Sequence, residues 1–533
     1  MNSPFFEKSK EIANNYIQSV VFLDDKAYQT GDGQNPDHDF DALQISKVFA
    51  SENKICAVYR PESEEDIENF KIIANKADIV ILDWQINLAN QNEVADPEAD
   101  AEVEDPRGQY TKAIIKAILE QIDKGVKLIL IYTGDYTLLE QITTEVYEEI
   151  FDQEAYTLDK ADFSITSDHF KVLVRAKNFE IKQKEIKSKY EGKILQYPEI
   201  PGFVISEFAS ITSGLLSNFA LMALTAIRKN SSKLLALYSK KLDPAYFGHK
   251  SLLPYQNDAE DLLMEMFGST LVDLLKYKNI GRKINDELIS DYLDDRKDID
   301  VGSFVRTSAF LKELIASDIT DERQRFSDII SSNFVTQQHP ISKAAREGYL
   351  KKSTILFKEK QEDNHEAIDN DFAVLTHHKN VFLPADVAPK LSLGTLVKSS
   401  INHEKYYLCI QQRCDSVRIS EDEKRRFLFL PLDVATGKFN FITTDGIKLH
   451  YAKKSYNLRT LKFASNDNGA IHALPVDDKY LFRQMYDDDG DEQFIWIMDL
   501  KDLHAQRIVS DYAASLSRVG LDESEWLRRS LLA

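Results

Sequence analysis

Short apolar runs alternate with amphipathic segments over the first ~200 residues, an extent that suits a single α/β domain. The runs are rich in Val, Ile and Leu, and the segments between them place apolar residues every three or four positions. Such runs are typical of parallel strands that helices bury on both faces. The pattern therefore predicts a doubly wound α/β fold. The predicted strands are residues 20–23, 55–59, 79–82, 128–132 and 170–174.

Two polar segments interrupt this pattern and are predicted to be loops inserted between its elements. Residues 26–39 hold glycine and proline among mostly polar side chains, and residues 87–107 are rich in Asp and Glu. Charge runs of this kind are typical of solvated loops. Residues 1–198, including both insertions, are predicted to form one domain.

The pattern changes twice in the remainder of the chain. Residues 199–380 have mainly helical periodicity, which predicts an α-helical middle domain. Residues 381–533 hold short strand-like runs separated by turn signals such as Asp445-Gly446. They predict a β-rich domain, arranged as a small barrel or a sandwich. Asp522 is expected to cap a final C-terminal helix.

Composition narrows the classes of function that the chain can serve. Its 87 acidic and 66 basic residues give a net charge of −21, so no nucleic-acid partner is expected. Its 3 cysteines are too few for a disulfide framework and favour a cytoplasmic location. Residues 208–227 lack charge but include Ser, Thr and Asn, so a buried core helix is predicted there and no membrane partner is expected.

Chemically reactive side chains lie at the ends of four predicted strands. Asp24 and Asp25 follow the first strand, and Asp83 follows the third. Thr133 follows the fourth strand, and Lys177 lies just beyond the fifth. The carboxyl ends of parallel strands meet at one edge of a sheet, where functional residues gather. We therefore expect three carboxylates, a hydroxyl and an amine to lie together in one pocket.

This arrangement resembles the response-regulator receiver family over about residues 17–190. The resemblance implies a flavodoxin-like fold, phosphorylation of Asp83 by a histidine kinase and a bound Mg²⁺ ion. The implied ligands of Mg²⁺ are Asp24, Asp25, Asp83 and the backbone carbonyl of Gln85. The implied catalytic residues are Asp83 as the phosphoacceptor, Thr133 and Lys177.

The chemistry of phosphoryl transfer explains why the family needs these residue types together. A carboxylate nucleophile attacks an anionic phosphoryl group, and Mg²⁺ held by neighbouring carboxylates offsets the repulsion between them. In the family, the lysine pairs with a phosphate oxygen and the hydroxyl forms a hydrogen bond to another. Phosphorylation is then a local change of charge that biases the conformation of the domain.

The chain departs from the family pattern at several positions. Val174 stands three residues before Lys177, where the family usually has an aromatic switch residue, and Asn178 stands in place of a frequent proline. Lys171 is a second candidate for the family's lysine. The spacings between the site residues are also longer than in a compact receiver. These departures leave a second interpretation open, in which the domain is a degenerate receiver that keeps the fold and binds a partner without being phosphorylated.

The remaining sequence contains no Gly-rich phosphate loop, HExxH or GxSxG motif, so no effector enzyme is recognised in it. The whole chain resembles receiver proteins of bacterial anti-phage two-component systems of the Detocs type. In those systems one receiver protein is an effector enzyme and another resembles a phosphate buffer. The absence of an enzyme motif favours a regulatory or buffering role. The expected partners are a histidine kinase and other proteins of the defence system.

Two other interpretations stay open for residues 199–533. They form either an unrecognised enzyme that the receiver switches or part of a scaffold that works without phosphorylation. An enzyme predicts a deep pocket with convergent titratable groups, whereas a docking region predicts none.

Overall fold

The computed structural model divides the chain into two compact units, Met1–Arg296 and Lys297–Ala533. Most of both predicted insertions, and the helix predicted after Asp522, lie outside the described residues. The described residues are 3–28, 40–88, 108–122, 125–177, 190–253, 258–301, 305–316, 328–332, 344, 347–349, 352–379, 387–402, 404–420, 423–437, 439–452, 458–465, 469–477, 479–483 and 492–516.

A mainly parallel sheet forms the centre of the N-terminal unit. Its strands are β1 (Ser19–Leu23), β2 (Ile55–Tyr59), β3 (Ile79–Leu82), β4 (Lys127–Thr133), β5 (Thr157–Asp159), β6 (Ser164–Thr166), β7 (Phe170–Lys177) and β8 (Ile194–Leu195). Strands β2, β1, β3, β4 and β7 are parallel and adjacent in that order. This is the flavodoxin-like α/β arrangement that the sequence predicts for this part of the chain.

An antiparallel hairpin extends the sheet beyond β7. Strands β5 and β6 pair with each other, and β6 pairs antiparallel with β7. Strand β8 pairs with the last two residues of β7 in parallel. The sequence pattern does not predict this hairpin, because its strands are only three residues long and lack a continuous apolar run.

Helices cover both faces of this sheet. They are α1 (Pro4–Tyr16), α2 (Ala42–Ser51), α3 (Glu64–Lys76), α4 (Gln109–Ile122), α5 (Leu139–Ile150) and α6 (Ile200–Thr212). Neighbouring residues of a strand point to opposite faces, so Val21 and Leu23 face one core while Val20 and Phe22 face the other. The first core is closed by α3, α4 and α5, and the second by α1, α2 and α6.

The uncharged stretch at residues 208–227 belongs to two helices rather than to the single helix predicted. Helix α6 ends at Thr212, and α7 (Leu215–Leu237) begins after Gly214, which takes an extended conformation. Phe208 is 1% exposed in the core of the sheet, so the predicted burial is confirmed there. Within the described ranges, no helix is long and apolar enough to cross a bilayer.

Asp78 fixes α7 to the amino edge of the sheet. It directly precedes β3, and its carboxylate accepts hydrogen bonds from the backbone amides of Gln18 (2.9 Å) and Ser19 (3.1 Å). The same carboxylate lies 2.9 Å from the Arg228 guanidinium of α7. Arg228 also stacks over the ring of Tyr16, 4.3 Å from its centroid. Helices α8 (Asp243–Leu252), α9 (Asp258–Tyr277) and α10 (Asp286–Asp294) follow.

The C-terminal unit contains helices and an antiparallel sheet. Its helices are α11 (Ser308–Ile315), α12 (Thr354–Phe357), α13 (His365–His377) and α14 (Asp502–Leu516). A short pair, β9 (Ile299–Asp300) and β10 (Val305–Arg306), precedes the sheet. The sheet strands are β11 (Thr395–Ser399), β12 (Tyr406–Cys409), β13 (Lys424–Val434), β14 (Phe441–Ile442), β15 (Lys448–His450), β16 (Arg459–Ala464), β17 (Leu474–Val476), β18 (Lys479–Arg483) and β19 (Gln493–Asp499).

The antiparallel sheet curls upon itself. Its strand order is β14-β15-β13-β12-β11-β19-β18-β17, and β16 also pairs with β13. Phe463 of β16 reaches across to Phe482 of β18 and Phe494 of β19, with ring centroids 6.3 and 6.2 Å apart. Helix α14 packs on the other face through Ile508 and Tyr512. The helical and β-rich character predicted for these regions agrees with the structure, while the domain limits at residues 198 and 380 stay predictions.

Candidate functional site

Three buried carboxylates lie together where β1 and β3 end. The two strands are paired in register up to Leu23 and Leu82, and the Asp83 amide donates to the Leu23 carbonyl over 2.8 Å. Asp24, Asp25 and Asp83 each offer an oxygen within 4.8 Å of the others. Their exposed fractions are 0%, 6% and 5%. The parallel register thus brings the predicted carboxylates into one pocket.

Lys177 is the cation of this pocket. It ends β7, and its Nζ lies 2.6 Å from Asp24 Oδ2 and 3.0 Å from Asp83 Oδ1. Lys171, the other candidate, lies earlier on the same strand and pairs with Glu207 over 2.6 Å. The structure therefore places Lys177, and not Lys171, at the carboxylates.

Backbone and side-chain donors hold two of the carboxylates. The Lys26 amide donates to Asp24 Oδ1 over 2.9 Å. Asn87 donates to Asp25 Oδ2 from its backbone amide and from its Nδ2, each over 3.0 Å. Such bonds fix the orientation of both carboxyl groups before any ligand binds.

The loop after β3 is fixed by the start of α4. The Thr111 hydroxyl donates to the backbone carbonyl of Asp83 over 2.6 Å. Gly108 has a φ of +84°, and a Cβ at this position would lie 2.2 Å from the ring of Trp84. Glycine suits both the conformation and the close approach. The backbone at Asp83 and Trp84 is therefore held by the Thr111 hydrogen bond and by the packing of Trp84 against Gly108, as well as by β3.

The electrostatics of the pocket are dominated by burial. Burial raises the pKa of Asp83 to about 7, against the opposing effect of Lys177 and with a further rise caused by Asp24. Burial also raises the pKa of Asp25, although hydrogen bonds from Asn87 oppose this. Burial lowers the pKa of Lys177, but the carboxylates of Asp83 and Asp24 outweigh it and raise that pKa overall. One lysine thus balances only part of the acidic charge, a condition that favours binding of a further cation.

Thr133 and Gln85 lie at the same edge of the sheet. Thr133 is the last residue of β4, where it pairs with Ala176 of β7, and its side chain is buried. Its hydroxyl accepts a hydrogen bond from the Asp135 amide over 3.3 Å. Gln85 follows Asp83 by two residues, and its side chain is exposed. Thr133 therefore stands beside the strand that carries Lys177.

Aromatic rings lie close to the lysine, but not at the position where the family usually has one. Lys177 Nζ is 5.6 Å from the centroid of Phe40 and 5.9 Å from that of Tyr132. Val174 is fully buried in the core that α5 helps to close. The usual switch position is thus a core position in this chain, and the rings near the lysine come from other segments.

A comparison with family models identifies this part of the chain. Residues 16–180 match the response receiver domain. The chain carries a response receiver domain. The match includes Asp24, Asp25, Asp83, Thr133 and Lys177. Comparisons with curated proteins and with solved structures gave no match.

Receiver domains accept a phosphoryl group on an aspartate, typically from a histidine kinase, and bind Mg²⁺ through an acidic pocket. The donor set of this receiver domain suits that ion. Asp24, Asp25 and Asp83 form the cluster of potential metal ligands found among the described residues. Mg²⁺ prefers carboxylate oxygens and retains several water ligands, so a partly open set of carboxylates fits it better than a closed cage of nitrogen or sulfur ligands.

Sequence reasoning missed several residues that shape the receiver pocket. Asn87 lies in a predicted insertion, yet it holds Asp25. The sequence pattern predicts no role for Thr111 or Gly108, although both fix the loop of Asp83. Gly108 carries the clearest signal, because a glycine directly after the predicted insertion at residues 87–107 indicates a special backbone conformation. An isolated Asn or Thr is too common to indicate a contact by itself.

Proposed function

We propose that the chain is a response regulator that accepts a phosphoryl group on Asp83 from a histidine kinase. The observation that carries this proposal is the contact of Lys177 with both Asp83 and Asp24 inside a buried carboxylate pocket. Burial of a lysine among carboxylates costs free energy, so it is more readily explained by a chemical role than by stability alone.

The surroundings of the carboxylates support Asp83 as the nucleophile. One oxygen of Asp24 and one of Asp25 are held by Lys26 and Asn87, which suits residues that orient a metal ion. The carboxylate of Asp83 contacts Lys177, a partner that can move to the phosphate after transfer. Asp24 and Asp25 are therefore proposed as metal ligands, together with Asp83 and the backbone carbonyl of Gln85.

In the proposed reaction, a carboxylate oxygen of Asp83 attacks phosphorus while the bond from phosphorus to the histidine nitrogen of the kinase breaks. The electron pair of that bond stays on the nitrogen, which takes up a proton, and an acyl phosphate forms on Asp83. Mg²⁺ supplies charge neutralisation between the carboxylate and the phosphoryl oxygens when it is bound. Lys177 favours the ionised form of Asp83, which is the form that attacks.

Lys177 and Thr133 are proposed to hold the phosphoryl group after transfer. Lys177 already lies 3.0 Å from Asp83, so a small displacement brings its Nζ to a phosphate oxygen. The Thr133 hydroxyl accepts from the Asp135 amide and keeps its own proton free for donation to a second phosphate oxygen. The charge added at Asp83 would then be sensed by the loop that follows β4.

We further propose that the protein has a regulatory or phosphate-buffering role in bacterial defence signalling. In this role it would draw phosphoryl groups from the kinase and lose them by hydrolysis. Two observations support this role. The acidic pocket has its lysine in place, and residues 199–533 contain no recognised enzyme motif. Other proteins of the defence system are the proposed partners of that remainder.

A phosphotransfer assay with acetyl phosphate or the cognate kinase tests the central proposal. The wild type is expected to form an acid-stable, base-labile adduct that requires Mg²⁺ and is suppressed by EDTA. Asp83→Asn is expected to form none. Asp168→Asn is the matched control, because Asp168 is exposed before the amino end of β7 and should label as the wild type does. Equal labelling of wild type and Asp83→Asn would contradict the assignment.

A second candidate function, a receiver-controlled effector enzyme, is favoured by a cavity in the C-terminal unit. The cavity has a volume of about 310 Å³ and is lined by Asn440, Tyr451, His504, Arg507 and Asp511, among others. Burial, with nearby positive charge, lowers the pKa of His504 to about 4, so this histidine is neutral at pH 7. Convergent titratable groups of this kind are what an enzyme interpretation predicts.

Substitution of Arg507 separates the two candidate functions. Arg507→Gln should leave phosphorylation of Asp83 unchanged under either one. An effector predicts that the variant loses the cellular response that follows phosphorylation, measured as growth arrest or phage protection in cells that express the kinase. A phosphate buffer predicts that the response is kept. Arg413→Gln is the control, because Arg413 is more than half exposed and lies outside the cavity.

A further inference from the structure

A second cavity lies in the N-terminal unit, away from the phosphoacceptor pocket. It has a volume of about 650 Å³ and is formed by α1, α7, the segment after α9 and the start of α10. This is the size of pockets that hold small organic ligands. Arg228 precedes the lining residue Lys229 on α7 and binds Asp78, which directly precedes β3. The cavity therefore lies near the amino edge of the sheet. The carboxylate pocket is at the carboxyl edge.

Lysines are gathered around this cavity although the chain as a whole is strongly acidic. Lys229, Lys278 and Lys283 line it, in a chain with a net charge of −21. Lys229 lies 3.4 Å from Asn15 Oδ1, and neither Lys278 nor Lys283 has an ion pair among the described residues. Three ammonium groups around one concave surface attract a ligand with several negative charges.

A fourth lysine of the cavity is already neutralised. Lys8 Nζ lies 2.7 Å from both Glu287 and Asp291. These ion pairs connect α1 to α10 and so hold two walls of the cavity together. Glu11 also lines the cavity, so the carboxylates of Glu11, Glu287 and Asp291 oppose part of its positive charge. The positive charge that remains comes from Lys229, Lys278 and Lys283.

The floor of the cavity is apolar. Met222 and Ala226 of α7 line it together with Ile280. Ala226 (9% exposed) and Ile280 (2%) are almost fully buried, so the half-buried Met222 offers most of the accessible apolar surface. These residues pack together as one cluster, so the floor is a continuous apolar surface. A weakly polar part of a ligand can cover the accessible portion of this surface, whereas phosphate alone leaves that portion in contact with water.

We propose that this cavity binds a nucleotide. Lys229, Lys278 and Lys283 would contact the phosphates, and the base would lie on Met222, Ala226 and Ile280. Lysine is a common ligand of phosphate. A cavity with an apolar floor and a charged rim matches a ligand that has one weakly polar part and one anionic part, as a nucleotide does. The proposal is independent of phosphorylation at Asp83, so it gives the receiver protein a second input.

Binding of a fluorescent ATP analogue, methylanthraniloyl-ATP, to the full chain carrying Asp83→Asn tests this proposal without interference from phosphotransfer. The Lys278→Gln/Lys283→Gln variant is expected to weaken binding by about tenfold or more, because it removes two proposed charge-assisted contacts and the loss of one already corresponds to about tenfold. The matched control is Lys240→Gln/Lys241→Gln, which removes the same charge from exposed positions outside the cavity and should change the affinity by less than about twofold.

Competition distinguishes the parts of the ligand. Unlabelled ATP should displace the analogue, and adenosine and tripolyphosphate should each compete at least about tenfold more weakly, because each lacks one of the two contacts. Tripolyphosphate that competes as well as ATP would overturn the nucleotide assignment. So would equal binding by the cavity and control variants, or the absence of binding by the wild type.

Discussion

The two sheets of this protein gather polar side chains in different ways. In the parallel N-terminal sheet, the carboxyl ends of β1, β3 and β7 meet at one edge and bring three carboxylates and a lysine together, with Thr133 at the end of the neighbouring β4. In the antiparallel C-terminal sheet, successive strands end at opposite edges. Its polar cavity is lined instead by one face of α14, through His504, Arg507 and Asp511. Strand direction thus decides where a site can form.

The two sites also differ in charge. The carboxylate pocket holds three buried carboxylates and one lysine, so it is short of positive charge. The cavity on α14 contains one arginine and one aspartate, with a histidine that burial keeps neutral. Removal of one charge should therefore destabilise the N-terminal pocket far more than the C-terminal cavity.

The largest effect is expected for Lys177→Met. Without its cation the pocket retains three buried carboxylates, which should lower the free energy of unfolding of the N-terminal unit by about 3–5 kcal/mol. Mg²⁺ should restore part of that loss, because it supplies the missing positive charge. Hydrogen exchange of the β1 and β3 amides, in EDTA and in Mg²⁺, measures both effects.

Lys171→Met is the matched control on the same strand. The Lys171–Glu207 pair is partly exposed, with 13% and 20% of the side chains accessible, so its loss should cost about 1 kcal/mol or less and should not respond to Mg²⁺. Equal protection of the two variants in EDTA would show that Lys177 does not balance the buried carboxylates.

An intermediate effect is expected for Gly108→Ala. Its positive φ and the approach of Trp84 should together cost about 1–3 kcal/mol, and displacement of Trp84 should slow phosphorylation of the neighbouring Asp83. Gly192→Ala isolates the cost of a positive φ, because a Cβ there meets open space. Urea unfolding and phosphotransfer rates measure the two consequences.

Gly394→Ala carries the same test to the C-terminal unit. Gly394 has a φ of +91°, and its Cβ would lie 3.0 Å from the Leu500 carbonyl oxygen. We expect a similar loss of stability in that unit and no change in the rate of Asp83 phosphorylation. If Gly394→Ala slows phosphorylation of Asp83 as much as Gly108→Ala does, the stability of the C-terminal unit is coupled to the chemistry of the N-terminal unit.

A pH dependence of the metal-free protein is also expected. Burial raises the pKa of Asp83 from 3.8 to about 7, so between these values the folded state holds a proton that the unfolded state has lost. The contribution to stability is therefore complete below pH 3.8 and lost as the pH rises through about 7. Unfolding in EDTA should show a fall in stability over this window that Asp83→Asn lacks.

Mg²⁺ should reverse that trend, because the proton on Asp83 and the metal ion compete for one carboxylate. Affinity for Mg²⁺, followed by the fluorescence of Trp84, should rise with pH up to about 7 and then level off. Affinity that is constant over the same range would remove Asp83 from the set of metal ligands.

The N-terminal fold and the positions of its reactive residues could be predicted because both follow from local pattern. The run of four apolar residues before Asp83 is buried on both faces, as its sequence suggests. Asp24, Asp25 and Asp83 follow apolar strands, and parallel pairing alone is enough to bring them together. The roles of these residues in catalysis stay predictions that the phosphotransfer assay tests.

Other features depend on contacts between distant segments and leave little trace in the sequence. Phe40 and Tyr132 approach Lys177 only because the folded chain places them around the end of β7. Helix α6 covers the receiver sheet through Ile200, Val204 and Phe208, although its sequence reads equally well as part of a separate helical domain. The cavity on α14 likewise joins Tyr451 to a helix that begins at Asp502.

The hairpin beside β7 has a consequence for assembly. Strands with an open edge can be extended by a strand from another chain. The outer side of β7 is already occupied by β6 and, at its end, by β8. A partner strand therefore cannot add to these parts of the strand that carries Lys177. Strand addition at β2 or β5, the outermost strands in the sheet order, would join copies of the protein while leaving the lysine strand unchanged.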